Sequence, residues 1–276
     1  MRLDLVRTAI GAALFAIALV ACVEGPKTAL SYTEDAKRAY EAALQEFNAH
    51  NWIEAQLQMR EVKRKYSYSK YARLAELRIA DADLEQERFS EAVREYKDFV
   101  HAHRSDADDV AYARSKIAEA TCAEIPESFL LPAAEERDQG AVVDAYKELK
   151  SYLSDYPESK QSAHMREMLA SVIARLVRHE LYVARFYLNK GNYDAAVARV
   201  QYALRNYGGN AEESQVTSDA GGLEPEALLL LGTTYLKMHK WGDAKQTFET
   251  IVKDYANNPL AAPARKYLDY LKMRGA

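Results

Sequence analysis

Glycine and proline are scarce in this 276-residue chain, at 11 and 7 copies. That scarcity works against a sheet of many strands, which needs such residues at its turns. Positive charge is not in excess either: 37 Lys and Arg stand against 41 Asp and Glu, for a net charge of −4. A nucleic-acid partner, which would want a basic face, is therefore not expected. Cysteine is limited to Cys22 and Cys122. Because Cys22 has another use, described next, Cys122 has no partner for an intramolecular disulfide. It sits in the helical run VAYARSKIAEATCAEI, where a lone thiol is expected to pack as a small apolar group. The six histidines form no zinc-protease pattern, since His179-Glu180 lacks the second His four residues on. His101 and His103 lie near Asp106, Asp108 and Asp109, but residues two apart on a helix face different ways. Gly208-Gly209 and Gly221-Gly222 fall in a polar stretch with no strand before them, and there is no G-x-S-x-G. No metal, cofactor or catalytic site is expected.

What is present starts with Arg2 and Arg7, followed by thirteen residues without a charge, Ala9–Ala21. Such a run is too short for a bilayer core of ~30 Å at 1.5 Å per residue and suits the core of a signal peptide. It ends in Leu19-Val20-Ala21-Cys22, which resembles the bacterial lipobox. That resemblance implies lipidation of Cys22 and cleavage before it, giving a 1–21 leader and a short 22–33 tether. Loss of the leader leaves the remainder at about −5, because it holds Arg2, Arg7 and Asp4. Acyl chains bury methylenes at ~0.8 kcal/mol each, so lipid is a durable anchor. Val23 follows where, by the sorting rule for such lipoproteins, an Asp would favour inner-membrane retention. The implied location is the outer membrane, on its periplasmic face.

From Glu34 onward one signature recurs: an aromatic, two residues, Ala, three residues, a large apolar side chain. It reads Trp52-Ala55-Met59, Phe89-Ala92-Tyr96, Tyr193-Ala196-Val200 and Trp241-Ala244-Phe248, with a weaker copy at Val142-Ala145-Leu149. Twelve residues before the alanine, the four aromatic-led copies have a second small residue, Ala43, Ala80, Ala184 and Gly232. These features resemble the tetratricopeptide repeat, a helix–turn–helix of 34 residues. Small residues let the two helices approach and the aromatics fill the gaps between pairs. With Ala, Leu, Glu, Lys and Arg dominant, the expected fold is all-α, a superhelix of about five repeats. The alanines are 37, 53, 51 and 48 residues apart, so longer helices or inserts must be present. Two inserts are legible, Ile125–Gln139 and Tyr207–Pro225. The expected order is N-terminal repeats over 34–124, an insert over 125–139 and C-terminal repeats over 140–276.

Tyrosine is in surplus, 19 copies against 7 Phe and 2 Trp. Tyr66, Tyr68 and Tyr71 gather where the first two repeats meet, near Arg73 and Arg78. Aromatics beside arginines suit an extended peptide that ends in an aromatic and a carboxylate. Simple packing between repeats explains Tyr66 and Tyr71 equally well. The charged run MREVKRK over Met59–Lys65 is expected to be a solvated helix face.

Three stretches carry a more specific resemblance. Ala36–Tyr71, Glu136–Ser159 with its Arg137-Asp138-Gln139, and above all HELYVARFYLNKGNYDAA within Leu176–Tyr207 are similar to the BamD family, lipoproteins of the outer-membrane β-barrel assembly machine. The chain departs from the family where Ser67 and Gly208 stand in place of prolines and where His101-Ala102-His103-Arg104 replaces a His-Pro. The resemblance implies a non-catalytic scaffold whose N-terminal repeats receive unfolded outer-membrane proteins. Its C-terminal repeats would dock a BamA-like barrel subunit, and other lipoproteins of the complex are further candidate partners. Arg199 occupies the place of an arginine linked in that family to communication with BamA; off the stripe of Val197, Val200 and Leu204, it is expected to be free for a partner. The alternatives are a pilotin, a repeat lipoprotein that delivers a secretin, and a helical hydrolase acting on peptidoglycan. A pilotin should lack the HELYVARFYLNKGNYDAA stretch, and a hydrolase needs a catalytic domain for which the repeats leave no room.

Overall fold

A computed structural model describes residues 29–127, 132–208 and 223–275. The leader, Cys22 and most of the 208–225 stretch lie outside the described residues. Within them the chain is all-α, without a strand. The helices are α1 (Ala29–Asn48), α2 (Trp52–Lys65), α3 (Lys70–Glu85), α4 (Phe89–Ala102), α5 (Ala107–Ala123), α6 (Gly140–Asp155), α7 (Ser162–Asn189), α8 (Tyr193–Tyr207), α9 (Leu223–Lys237), α10 (Trp241–Asp254) and α11 (Ala261–Met273).

Each copy of the signature opens a helix. Trp52, Phe89, Tyr193 and Trp241 are the first residues of α2, α4, α8 and α10, and Val142 lies in the first turn of α6. Behind them, Ala92, Ala145, Ala196 and Ala244 are fully buried, as are Met59, Tyr96, Leu149, Val200 and Phe248. Burial of side chains of this size contributes about 1.5–3 kcal/mol each. Spacings of three and four residues place these groups on one face of a 3.6-residue helix, which is why the pattern recurs as it does.

Two corners repeat with the helices. Two residues before the aromatic, His50, Glu87, Gly191 and His239 take left-handed φ values of 60°, 58°, 74° and 59°. The next residue closes the helix with a Schellman bond: Asn51, Arg88, Asn192 and Lys240 donate N–H to the carbonyls of Glu46, Asp83, Tyr187 and Tyr235 at 2.9–3.0 Å. The second corner falls fourteen residues after the aromatic, where Tyr66, His103, Tyr156 and Tyr255 cap their helices and donate N–H to the carbonyl four residues back. Tyr207 fills the same place as the last residue of α8. Part of the tyrosine surplus is thus a structural row at one corner of the repeat.

The described residues divide into two compact units, one ending at Ala82 and one beginning at Asp83. In the first, α1 packs on α2, and the core joins Ala36, Tyr40, Met59, Val62, Tyr66, Ala75 and Ile79. In the second, successive helices from α4 to α11 pack as neighbours. Its cores centre on Leu149, Tyr152, Met165, Leu176 and Leu181 and, further on, on Phe248, Ile251 and Leu271. The long spacings have a visible source in α7, which runs for 28 residues.

Two expected boundaries move. The 22–33 tether is helical from Ala29, because the first turn of α1 gains an apolar anchor: the Tyr32 ring sits edge-on to Tyr66 with centroids 5.4 Å apart. The expected loop ending at Pro225 gives way to α9 at Leu223. Proline is tolerated there because the first turn of a helix needs no bonded N–H.

Candidate partner-binding surfaces

The tyrosine–arginine cluster of the first unit is not an open groove. Tyr66 is buried among Tyr40, Met59 and Val62. The half-buried Tyr71 packs on the Tyr40 ring at 5.7 Å. These two are core. Tyr68 alone of the three stands in solvent, 97 % exposed. Arg73 and Arg78 lie half-buried on α3. The Arg78 guanidinium donates to the buried carboxylate of Asp81 one turn on. A buried amide also links two helices here: Gln56 Nε2 donates to the Ile79 carbonyl at 3.0 Å and ties α2 to α3. A Gln between Ala55 and Leu57 carries no signal of this, because only the packing shows that it points inward.

Arg199 is on α8 and is not free. Its Nη1 lies 3.2 Å from Oε2 of Glu180 on α7, whose side chain is 9 % exposed against 45 % for Arg199. A nearly buried carboxylate without a partner is costly, so the arginine has a structural duty before any external one. The opposite-charge spacing of nineteen residues is invisible in sequence, since it depends on how α7 and α8 lie together. Nearby, Tyr146 Oη donates to the Asn206 carbonyl at 3.2 Å, and the Tyr207 ring meets those of Tyr146 and Tyr202 at 5.6 and 5.9 Å. Burial, with a hydrogen bond to Tyr202, pushes the Tyr207 phenol well above the usual tyrosine range.

The Arg137-Asp138-Gln139 segment closes the insert on itself. Arg137 donates to the Pro126 carbonyl across the base of the loop. Gln139 Nε2 donates to the Ala134 and Arg137 carbonyls at 2.9 and 2.8 Å, and Asp138 Oδ2 accepts from the Gly140 N–H at 3.1 Å. One stripe of α7 then holds the loop from outside. Arg175 pairs with Glu127, His179 Nδ1 lies 2.7 Å from the Glu135 carbonyl, and the charge of Glu136 pushes the Tyr182 phenol up. Ile125, at the entrance, is part of the core. The insert is therefore a strap on α7 as far as it is described.

Other candidates have structural explanations. The MREVKRK run buries Met59 and Val62 and exposes its charged members. His103 caps α4, with its ring 4.5 Å from that of Phe99. Among the described residues there is no group of three His, Cys, Asp or Glu side chains placed to hold a metal ion, and no helix long and apolar enough to cross a membrane. Exposed aromatic surface gathers on α7 and α8, where Tyr182, Phe186 and Tyr202 are 41 %, 51 % and 42 % exposed.

Helix pairs of this pattern, with aromatic surface left uncovered, define a tetratricopeptide-repeat protein. The last pair, residues 226–258, matches the tetratricopeptide-repeat model directly. The model of the outer membrane lipoprotein family YfiO matches residues 33–220, well over half of the chain, and the chain belongs to that family. It is 26 % identical over 241 residues to the outer membrane protein assembly factor BamD of Caulobacter vibrioides, covering 86 % of this chain and 72 % of the relative. It is 23 % identical over 271 residues to the BamD of Neisseria meningitidis serogroup A, covering 96 % and 95 %. A thermophilic tetratricopeptide-repeat protein from Thermus thermophilus aligns in structure over 86 % of this chain and 99 % of its own, with 16 % identity and a TM-score of 0.36.

Proposed function

We propose that this chain is a lipid-anchored scaffold of outer-membrane protein assembly, held on the periplasmic face of the outer membrane by acyl chains on Cys22. The observation that carries the proposal is the extent of the family match. It spans residues 33–220, and relatives named as assembly factors align along nearly the whole chain. On this view the function is binding. An unfolded outer-membrane protein is received by the first unit, with the half-buried Arg73 and Arg78 of α3 as its candidate contacts. Tyr66 contributes by packing. The BamA-like barrel subunit docks on the second unit at the α7–α8 surface, where Arg199, Tyr202 and Phe186 are exposed together with the strap. Other lipoproteins of the same complex are compatible partners.

The test is purification of the tagged, full-length chain from detergent-solubilised outer membranes, with co-purifying proteins identified by mass spectrometry. Recovery of a large barrel protein with repeated periplasmic domains is the expected result. Recovery of a secretin ring in its place would overturn the assignment in favour of a pilotin.

A further inference from the structure

The end of the first unit where α1 begins carries side chains that its internal packing does not use. Contact between the Tyr32 and Tyr66 rings, 5.4 Å apart, puts the start of α1 and the α2–α3 corner at that one end. The corner is well held: the Ser69 N–H donates to the Tyr66 carbonyl at 2.8 Å, and Ser69 Oγ accepts from the Ala72 N–H at 3.2 Å. At its tip Tyr68 is 97 % exposed, and Leu30 on the first turn of α1 is 71 % exposed. Lys65 and Lys70 flank the tip, each with its ammonium over a tyrosine ring, at 5.4 Å from Tyr66 and 5.2 Å from Tyr71. Among the described residues, the carboxylates at this end are already engaged: Glu61 with Arg64, Glu76 with Lys63, and Glu34 and Asp35 with Arg38.

Tyrosine and leucine bracketed by lysine are the composition that settles at a bilayer interface, ring and methyls at headgroup depth and ammonium at the phosphates. The chain supplies the reach. Seven residue steps separate Cys22 from Ala29, a contour of at most about 25 Å. Anionic lipid attracts lysines held near its surface.

We propose that this end is a membrane-contact face, with Tyr68 and Leu30 in the headgroup layer of the leaflet that holds the lipid on Cys22, and Lys65 and Lys70 on lipid phosphates. The proposal rests on the Cys22 anchor proposed above and adds an orientation to it. The C-terminus of α2 faces the bilayer, and its N-terminus, 14 residues or about 20 Å away, faces the periplasm.

The test uses the lipidated full-length chain in vesicles of phosphatidylethanolamine and phosphatidylglycerol with brominated acyl chains. Trp52 and Trp241 are replaced by Phe, and one tryptophan is introduced by Tyr68→Trp or, at the far end of α2, by Ile53→Trp. Both sites are exposed, and circular dichroism checks that helicity is retained. The expected result is a blue shift and loss of emission at position 68 and neither at position 53, with the shift reduced by Lys65→Glu/Lys70→Glu. Protein that floats with the vesicles but shows no quenching at 68, or equal quenching at both sites, overturns the contact face and leaves the anchor intact. Protein that fails to float overturns the anchor and the face together.

Discussion

The Cα of Gly232 on α9 lies directly beneath the ring of Phe248 on α10: a β-carbon added there would be 2.6 Å from Cε1 and 2.8 Å from Cζ. The ring cannot retreat, because Phe248 is fully buried and stacks on Tyr267 at 4.9 Å and 14°. The signature's small residue and its large one, sixteen positions apart, are thus two halves of one contact.

Gly232→Ala should therefore destabilise the second unit although alanine is the better helix former. Overpacking costs about 1–3 kcal/mol, against roughly 1 kcal/mol regained in helix propensity. Urea unfolding should show a net loss for Gly232→Ala and a gain when Phe248→Leu is added to it. An unchanged midpoint for the single variant would mean that the helices can separate at no cost.

The left-handed corners make opposite predictions at two sites. Gly191 has φ +74° and open space where a β-carbon would go, so Gly191→Ala should cost about 1 kcal/mol from the backbone alone. Glu87 holds the same conformation with a side chain, and Glu87→Gly should gain roughly 0.5–1 kcal/mol. His239→Gly should gain less, because the His239 ring also packs on Trp241 at 5.1 Å. Thermal unfolding of the three variants gives the comparison.

Arg199→Ala should lower stability by about 1–2 kcal/mol, discounted for the exposure of the arginine, because it strands the nearly buried Glu180 carboxylate. Adding Glu180→Gln should recover most of the loss. Chemical denaturation of the two single variants and the double variant measures the coupling. Zero coupling would leave Arg199 with a purely external role. A loss of partner binding in Arg199→Ala is interpretable only beside the double variant.

Burial, reinforced by the Glu119 carboxylate, pushes the Cys122 thiol up to about 11. In a Cys22→Ala chain, alkylation at pH 8 should be roughly two orders of magnitude slower than for a free thiol, and should recover on unfolding. The raised value favours the protonated folded state. Its contribution to stability is complete below the unfolded thiol value near 8.5 and is lost as pH rises from there through about 11. Alkylation as fast in the folded as in the unfolded chain would show that Cys122 is open to solvent.

The helices and their pairing were legible in the sequence because each repeat restates the same steric demand. A small residue must meet a bulky one at fixed spacing, and Ala92, Ala196 and Ala244 are buried as that demand requires. Family membership was legible for a similar reason, through long runs such as HELYVARFYLNKGNYDAA. The candidate site was only partly so. Tyr66, Tyr68 and Tyr71 are the same residue type within six positions, yet one is core, one is solvent and one packs on Tyr40. A turn of chain at the α2–α3 corner decides which, and residue type does not encode it. Arg199 looked unoccupied because its partner is on another helix, and the strap on α7 could not be foreseen from Arg137-Asp138-Gln139. The sequence by itself determined the repeat, since packing within a helix pair is local and periodic. Only the tertiary structure decided which polar and aromatic side chains remain available to a partner, since that depends on contacts between helices far apart in the chain.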